Sequence, residues 1–168
     1  MNEYLKNTLV LFSITLAVAL LLSCTHFFTK DIIAQTAIEN QTKSREKVLT
    51  GLEFSREENI SNVWIYYNSE ENIIGYAILA QGPGYGGEME LMIGMDGDYK
   101  ILGIDVLSHQ ETPGLGSNAI AAITPQFIGK QNPFHINKEI EGVTGATITS
   151  KSIIDIVNNA VELLKSKE

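Results

Sequence analysis

Cysteine, positive charge and, over one long stretch, charge of either sign are scarce in this 168-residue chain. A single cysteine, Cys24, rules out a disulfide framework and leaves the redox compartment unmarked. Lys and Arg total 12 against 20 Asp and Glu, for a net charge of −8 and a pI near 4.9. No basic stripe is available to neutralise phosphates, so nucleic acid is excluded as a partner. His26, His109 and His135 share no ligand spacing and have no cysteine beside them in the body of the chain, which argues against a metal. There is no nucleophile elbow, internal repeat or low-complexity segment, and hence no reason to expect a hydrolase or a solenoid.

The missing charge is local. No Asp, Glu, Lys or Arg occurs from Thr8 to Phe28. As a helix these roughly 21 residues span about 31 Å, enough to cross a bilayer, so a single-pass transmembrane anchor is expected. Two alternatives stay open. Leu21-Leu22-Ser23-Cys24 resembles a lipobox that would make Cys24 a lipidation site, and a cleaved signal peptide would want a shorter apolar core. Lys6 on one flank and Lys30 and Lys43 on the other do not decide orientation. From Lys30 to Leu52, Ile32, Ile33, Ala37, Ile38, Val48 and Leu49 lie among polar residues without a proline, so the helix is expected to continue as a stalk. Glu53 to Ser61 reads as a charged, turn-rich linker. The expected organisation is an anchor over 1–29, a stalk and linker over 30–61, and a globular domain over 62–168.

Within that domain, Val63–Tyr67, Ile73–Gln81, Glu88–Met95 and Lys100–Ser108 read as strands separated by polar or glycine-rich turns, with Asp96-Gly97 a hairpin signal. Met89, Leu91, Ile93 and Met95 share one face, which gives that strand one apolar side. Ser117–Thr124 predicts a short helix stopped by Pro125, and Phe127 and Phe134 are expected in the core. After Ser150, Ile153, Ile154, Val157, Ala160, Val161 and Leu164 recur at helical spacing. The pattern predicts an α+β fold, an antiparallel sheet packed with helices.

Two stretches carry chemistry. Glu141-Gly-Val-Thr144-Gly145-Ala146-Thr147-Ile-Thr149-Ser150 crowds four hydroxyls around small residues immediately before that last helix. Thr149 or Ser150 is the expected N-cap, which would set the positive helix end beside Thr147 and favour an anion there. From these features alone the stretch is equally an over-decorated cap. The loops Gly82-Pro-Gly-Tyr85-Gly-Gly87 and His109-Gln-Glu111-Thr112-Pro-Gly-Leu115-Gly116 are, taken alone, turns; the first has no following Lys-Ser or Lys-Thr and opens no helix, so it is neither a P-loop nor a dinucleotide fingerprint.

Glu141-x-x-Thr144-Gly145-Ala146-Thr147 resembles the flavinylation motif of the FMN-binding domain family, with Glu where that family more often has Asp. The order Ser108-His109, Glu111-Thr-Pro-Gly-Leu-Gly116 and the apolar N-terminus is similar to the subgroup containing the G subunit of Rnf complexes and the C subunit of sodium-pumping NADH:quinone oxidoreductases. The resemblance implies an FMN-binding domain over 62–168, with FMN joined by a phosphoester to Thr147. It implies further cofactor contacts from Thr144, Gly145, Ala146, Thr149, Ser150, Glu111, Thr112, Leu115, Gly116, Tyr85 and His109, with Glu141 serving the modification. Tyr85 and Leu115 are the candidates for a slot around the flavin ring, and Gly145 is expected to permit close approach. The implied function is electron transfer as the G subunit of a membrane-bound, ion-translocating oxidoreductase of ferredoxin:NAD type. The implied partners are the other membrane subunits, a flavin transferase and the bilayer, with the domain on the extracytoplasmic side of the cell membrane. A stand-alone membrane flavoprotein and an unflavinylated structural subunit are the alternatives.

Overall fold

The computed structural model describes residues 3–166. In chain order they form helix α1 (Glu3–Val48), strands β1 (Arg56–Ile60), β2 (Val63–Tyr67), β3 (Ile73–Pro83), β4 (Glu88–Asp96) and β5 (Ile101–Ser108), helix α2 (Gly116–Ile123), a 3-10 turn (Thr124–Phe127) and helix α3 (Thr147–Lys165). The chain divides into two compact units, one up to Asn40 and one from Gln41 onward.

The first unit is helix throughout its described length. Its apolar side chains, among them Leu9, Phe12, Leu16, Leu21 and Phe28, are exposed, and the helix is long and apolar enough to cross a membrane. Most of its threonine and serine hydroxyls bond back onto the helix: Thr8 donates to the Tyr4 carbonyl at 2.8 Å, Ser13 to Leu9 at 2.8 Å and Thr29 to Thr25 at 2.8 Å. Polar side chains that bond back onto their own helix need no water, as a lipid environment requires.

In the second unit the five strands form one antiparallel sheet in sequence order, β1-β2-β3-β4-β5. One face carries α2, the 3-10 turn and α3 over a core that includes Met89, Leu91, Ile93, Met95, Ile123, Phe127, Phe134, Ile153 and Val157. Phe127 and Phe134 meet edge to face at 4.9 Å, core residues as expected. Each fully buried Ile or Leu contributes roughly 1.5–3 kcal/mol relative to exposure, which is why the helical spacing in α3 fixes its inward face.

The opposite face is also covered. The last turns of α1 place Val48 and Leu49 with Trp64, Tyr66, Ala77 and Met92 in a second cluster. Strand β4 is therefore buried on both sides, whereas the alternation of Met89, Leu91, Ile93 and Met95 predicted only one apolar face. Gly94 of β4 and Gly103 of β5 stand opposite each other in the ladder. A Cβ on Gly94 would lie 2.5 Å from the Val48 carbonyl oxygen, and one on Gly103 would lie 2.9 Å from the Val48 Cα, so the glycine pair is the seat of the helix end. Ser44 Oγ donates to Asp105 Oδ2 at 2.7 Å, Lys47 pairs with Asp105 at 2.5 Å, and the Arg45 guanidinium lies 4.6 Å over the Trp64 ring while pairing with Glu57 at 3.1 Å.

Three local expectations need correction. α1 stops at Val48 rather than running to Leu52. The stretch read as a turn-rich linker, Glu53–Ser61, contains β1; its residues Arg-Glu-Glu-Asn-Ile are all exposed, so no buried alternation marked the strand. Cross-strand contacts hold it instead, with Arg56 stacked 4.5 Å from the Tyr67 ring and a two-residue turn in which Ser61 (φ 50°) and Asn62 (φ 67°) take the left-handed conformations of a tight hairpin. Finally, α3 begins at Thr147 behind Ala146, two residues or more before the hydroxyls expected to cap it.

Candidate functional site

Three loops converge at one end of the second unit. The β3–β4 loop turns tightly, with the Gly84 N–H donating to the Gly87 carbonyl at 2.6 Å. The β5–α2 loop lies against it, and the segment before α3 completes the group. Together they line a cleft of about 370 Å³ formed by Tyr85, Glu111, Thr112, Leu115, Gly116 and residues Gly145 through Thr149. That size falls within the roughly 300–1,000 Å³ of ordinary small-molecule sites.

Glu111 is the tie between these loops. It is 5% exposed; its Oε1 accepts the Tyr85 N–H at 2.6 Å and the Gly86 N–H at 3.3 Å, and its Oε2 accepts the Thr149 hydroxyl at 2.6 Å. Burial pushes this carboxyl up, but the Thr149, Gly86 and Tyr85 donors more than offset that and hold it below the usual carboxylate range. His109 Nδ1 in turn accepts the Glu111 N–H at 3.3 Å. The sequence offered Glu111 and Thr149 as two separate polar contacts; in the structure they are partners of each other, joining the glycine loop to the start of α3.

The helix end itself carries no side-chain cap. Thr149 lies inside α3, bonded to Glu111, and does not cap it. Ser150 is buried, donates to the Ala146 carbonyl at 2.8 Å and accepts the Val143 N–H at 3.1 Å, so it does not cap the helix either. Ala146 offers no side-chain cap. The first-turn N–H groups, which have no intrahelical acceptors, and the positive helix end are left open at the cleft. Thr147 is the first helical residue there, exposed and lining the cleft. A phosphate fits this donor set, and Tyr85, Leu115 and Ile148, all exposed, would offer apolar surface to a ring system.

Of the sequence candidates, Tyr85, Glu111, Thr112, Leu115, Gly116, Gly145, Ala146, Thr147 and Thr149 line the cleft; Thr144, Ser150 and His109 do not. Ile148 was missed, since one apolar residue at a helix start carries no signal. Gly145 takes φ +83°, and a Cβ there would meet nothing closer than Leu115 Cδ1 at 3.5 Å. Within the chain itself its role is the left-handed backbone that turns into α3, not relief of crowding. His135 pairs with Glu139 at 3.0 Å, and no group of residues that could hold a metal occurs among the described residues.

The FMN-binding domain family matches residues 84–162, which include all three loops. The G subunit of the proton-translocating ferredoxin:NAD(+) oxidoreductase complex of Clostridium ljungdahlii is 29% identical over 85% of this chain and 82% of its own length. The G subunit of the ion-translocating oxidoreductase complex of Vibrio atlanticus is 30% identical over 96% of this chain and 90% of that protein. The crystal structure of Shewanella oneidensis NqrC aligns with 73% of this chain and 74% of that one, at 16% identity and a TM-score of 0.48. With 30% identity to the Vibrio atlanticus subunit along almost the whole of both sequences, this chain belongs to the G-subunit family of ion-translocating oxidoreductase complexes and contains that family's FMN-binding domain.

Proposed function

We propose that the protein is a membrane-anchored electron carrier whose FMN is joined by a phosphoester to Thr147, working as the G subunit within an Rnf-type ion-translocating oxidoreductase complex of ferredoxin:NAD type. The observation that carries this reading is the open start of α3, where an exposed threonine hydroxyl stands at the positive helix end inside a cleft of cofactor size. FMN, when bound, supplies the capacity to take up and pass on electrons. The chain supplies the rest. Thr147 anchors the phosphate, the helix end stabilises its charge, Tyr85, Leu115 and Ile148 form the apolar rim, and Glu111 holds the glycine loop and Thr149 in register. Thr112, Gly116, Gly145 and Ala146 complete the lining, and His109 fixes the Glu111 loop from behind.

Loading balances as a group transfer from FAD. The Thr147 Oγ–P bond forms, the bond from that phosphorus to the bridging oxygen of the pyrophosphate breaks, AMP leaves, and the hydroxyl proton passes to a base of a flavin transferase. A tethered cofactor suits a domain on the extracytoplasmic side, where lost FMN is not readily replaced, with residues 1–29 as the anchor in the bilayer. The test is the intact mass of the denatured chain after co-expression with a flavin transferase. An FMN-sized addition mapping to Thr147 and absent from Thr147→Ala is expected; an unmodified wild-type chain overturns the reading.

A further inference from the structure

The segment just before the Thr147 turn has no regular secondary structure, yet its backbone is pinned one amide at a time. The Glu141 N–H donates to Gln126 Oε1 at 2.8 Å, the Gly142 N–H to Asn137 Oδ1 at 3.4 Å, and the Val143 N–H to Ser150 Oγ at 3.1 Å. Three side chains from three different parts of the fold thus each hold one of three consecutive amides. Gln126 does more than the others. Its Nε2 donates back to the Glu141 carbonyl at 3.2 Å and to the Ala122 carbonyl at 3.2 Å, so both polar groups of the Glu141 backbone are bound, as a strand partner would bind them. The Glu141 side chain is exposed and, among the described residues, has neither a hydrogen bond nor an ion pair.

A surface carboxylate ordinarily sits on backbone that water could satisfy as well. Here the fold commits a glutamine, an asparagine and a buried serine to immobilising the backbone while leaving the charge unpaired. We infer that Gln126, with Asn137 and Ser150 beside it, is a positioning residue that fixes Glu141–Val143 as a preformed ledge and presents the Glu141 carboxylate, which the motif resemblance assigns to the modification, to the enzyme that loads Thr147. The inference rests on the FMN–threonine reading above. It means that the loading enzyme takes the folded chain, because the ledge is assembled from residues 126, 137 and 150 and does not exist in the unfolded one.

The test measures initial rates of covalent flavin incorporation by in-gel fluorescence, using flavin-free full-length chain in detergent, purified flavin transferase and FAD. Gln126→Ala is expected to raise the KM for the chain about tenfold while the saturating rate stays within about twofold. Glu141→Ala should behave alike, and the double variant should be no worse than Glu141→Ala alone, since Gln126 acts only through Glu141. Gln126→Glu, which keeps the acceptor for the Glu141 N–H but loses both donors, serves if the alanine variant does not fold and should fall between it and wild type. Wild-type kinetics in either Gln126 variant, or additive losses in the double variant, overturn the inference while leaving the FMN–threonine reading intact. A wild-type chain that takes up no flavin overturns both.

Discussion

Helices α2 and α3 start at the same cleft, and neither has a side-chain cap, yet their ends are in opposite conditions. At α2 the Thr112 carbonyl gathers the N–H groups of Leu115 at 3.2 Å, Gly116 at 2.9 Å and Ser117 at 3.4 Å, while Ser117 Oγ accepts the Gly114 N–H at 2.9 Å. That end is closed by its own chain. At α3 the cap position is held by Ala146, which has no side-chain acceptor, and the neighbouring hydroxyls lie inside the helix, Thr149 bonded to Glu111 and Ser150 to the backbone of residues 143 and 146. Hydroxyl residues near a helix start therefore mark its neighbourhood, but neither its first residue nor whether it is capped. A helix end becomes an anion site when the residue at its cap position has no side chain to close it.

The largest way to break this contrast is Glu111→Ala. It strands the Tyr85 and Gly86 amides and releases Thr149, and should cost about 2–4 kcal/mol. At about 2–4 °C per kcal/mol for a chain of this size, thermal unfolding of the full-length protein should show a clear fall in Tm. A shift of under a degree would mean that Glu111 does not hold the loops together.

A medium effect sharpens the comparison. Gly114 (φ +79°) precedes α2 and Gly145 (φ +83°) precedes α3, and a Cβ at either position meets no clash. Alanine at each should therefore cost a similar amount, about 1 kcal/mol by denaturant unfolding, from backbone conformation alone. Only Gly145→Ala should also slow flavin loading, because only α3 is open. Equal loading losses in both variants would erase the distinction between the two helix ends.

The smallest effect is on pH dependence. The Glu111 carboxyl is held below its ordinary value of 4.5, so the stability it contributes is present above that pH and is lost as pH falls through the lower folded-state value. Glu111→Gln should flatten the acid limb of stability below pH 4.5 without changing its slope near neutrality. An unchanged acid limb would show that the charge of Glu111 does not matter to the fold.

Much of the scaffold was legible because it is written in periodicity. β2 falls at Val63–Tyr67 as the apolar run predicts, and the inward face of α3 follows Ile153, Val157, Ala160, Val161 and Leu164. β1 was not legible, because an edge strand made of Arg56, Glu57, Glu58, Asn59 and Ile60 buries nothing and so leaves no pattern. The members of the site could be named from motifs, but their contacts could not: Glu111 and Thr149 are 38 residues apart, and nothing local to either announces a 2.6 Å bond between them. The same holds for Gln126, which looks like an ordinary polar residue after a proline until Glu141 is folded onto it.

The glycine pair under Val48 works like the notch of a keyed shaft. A helix turns about 100° per residue, so a single residue gained or lost between Ser44 and Val48 would swing Val48 off Gly94 and Gly103 or carry Ser44 away from Asp105. Residues added ahead of Gln41 would leave both contacts untouched. Length changes in this helix are therefore tolerated by the second unit on one side of Gln41 and barred on the other, and related chains that differ in helix length should show that difference upstream of the notch.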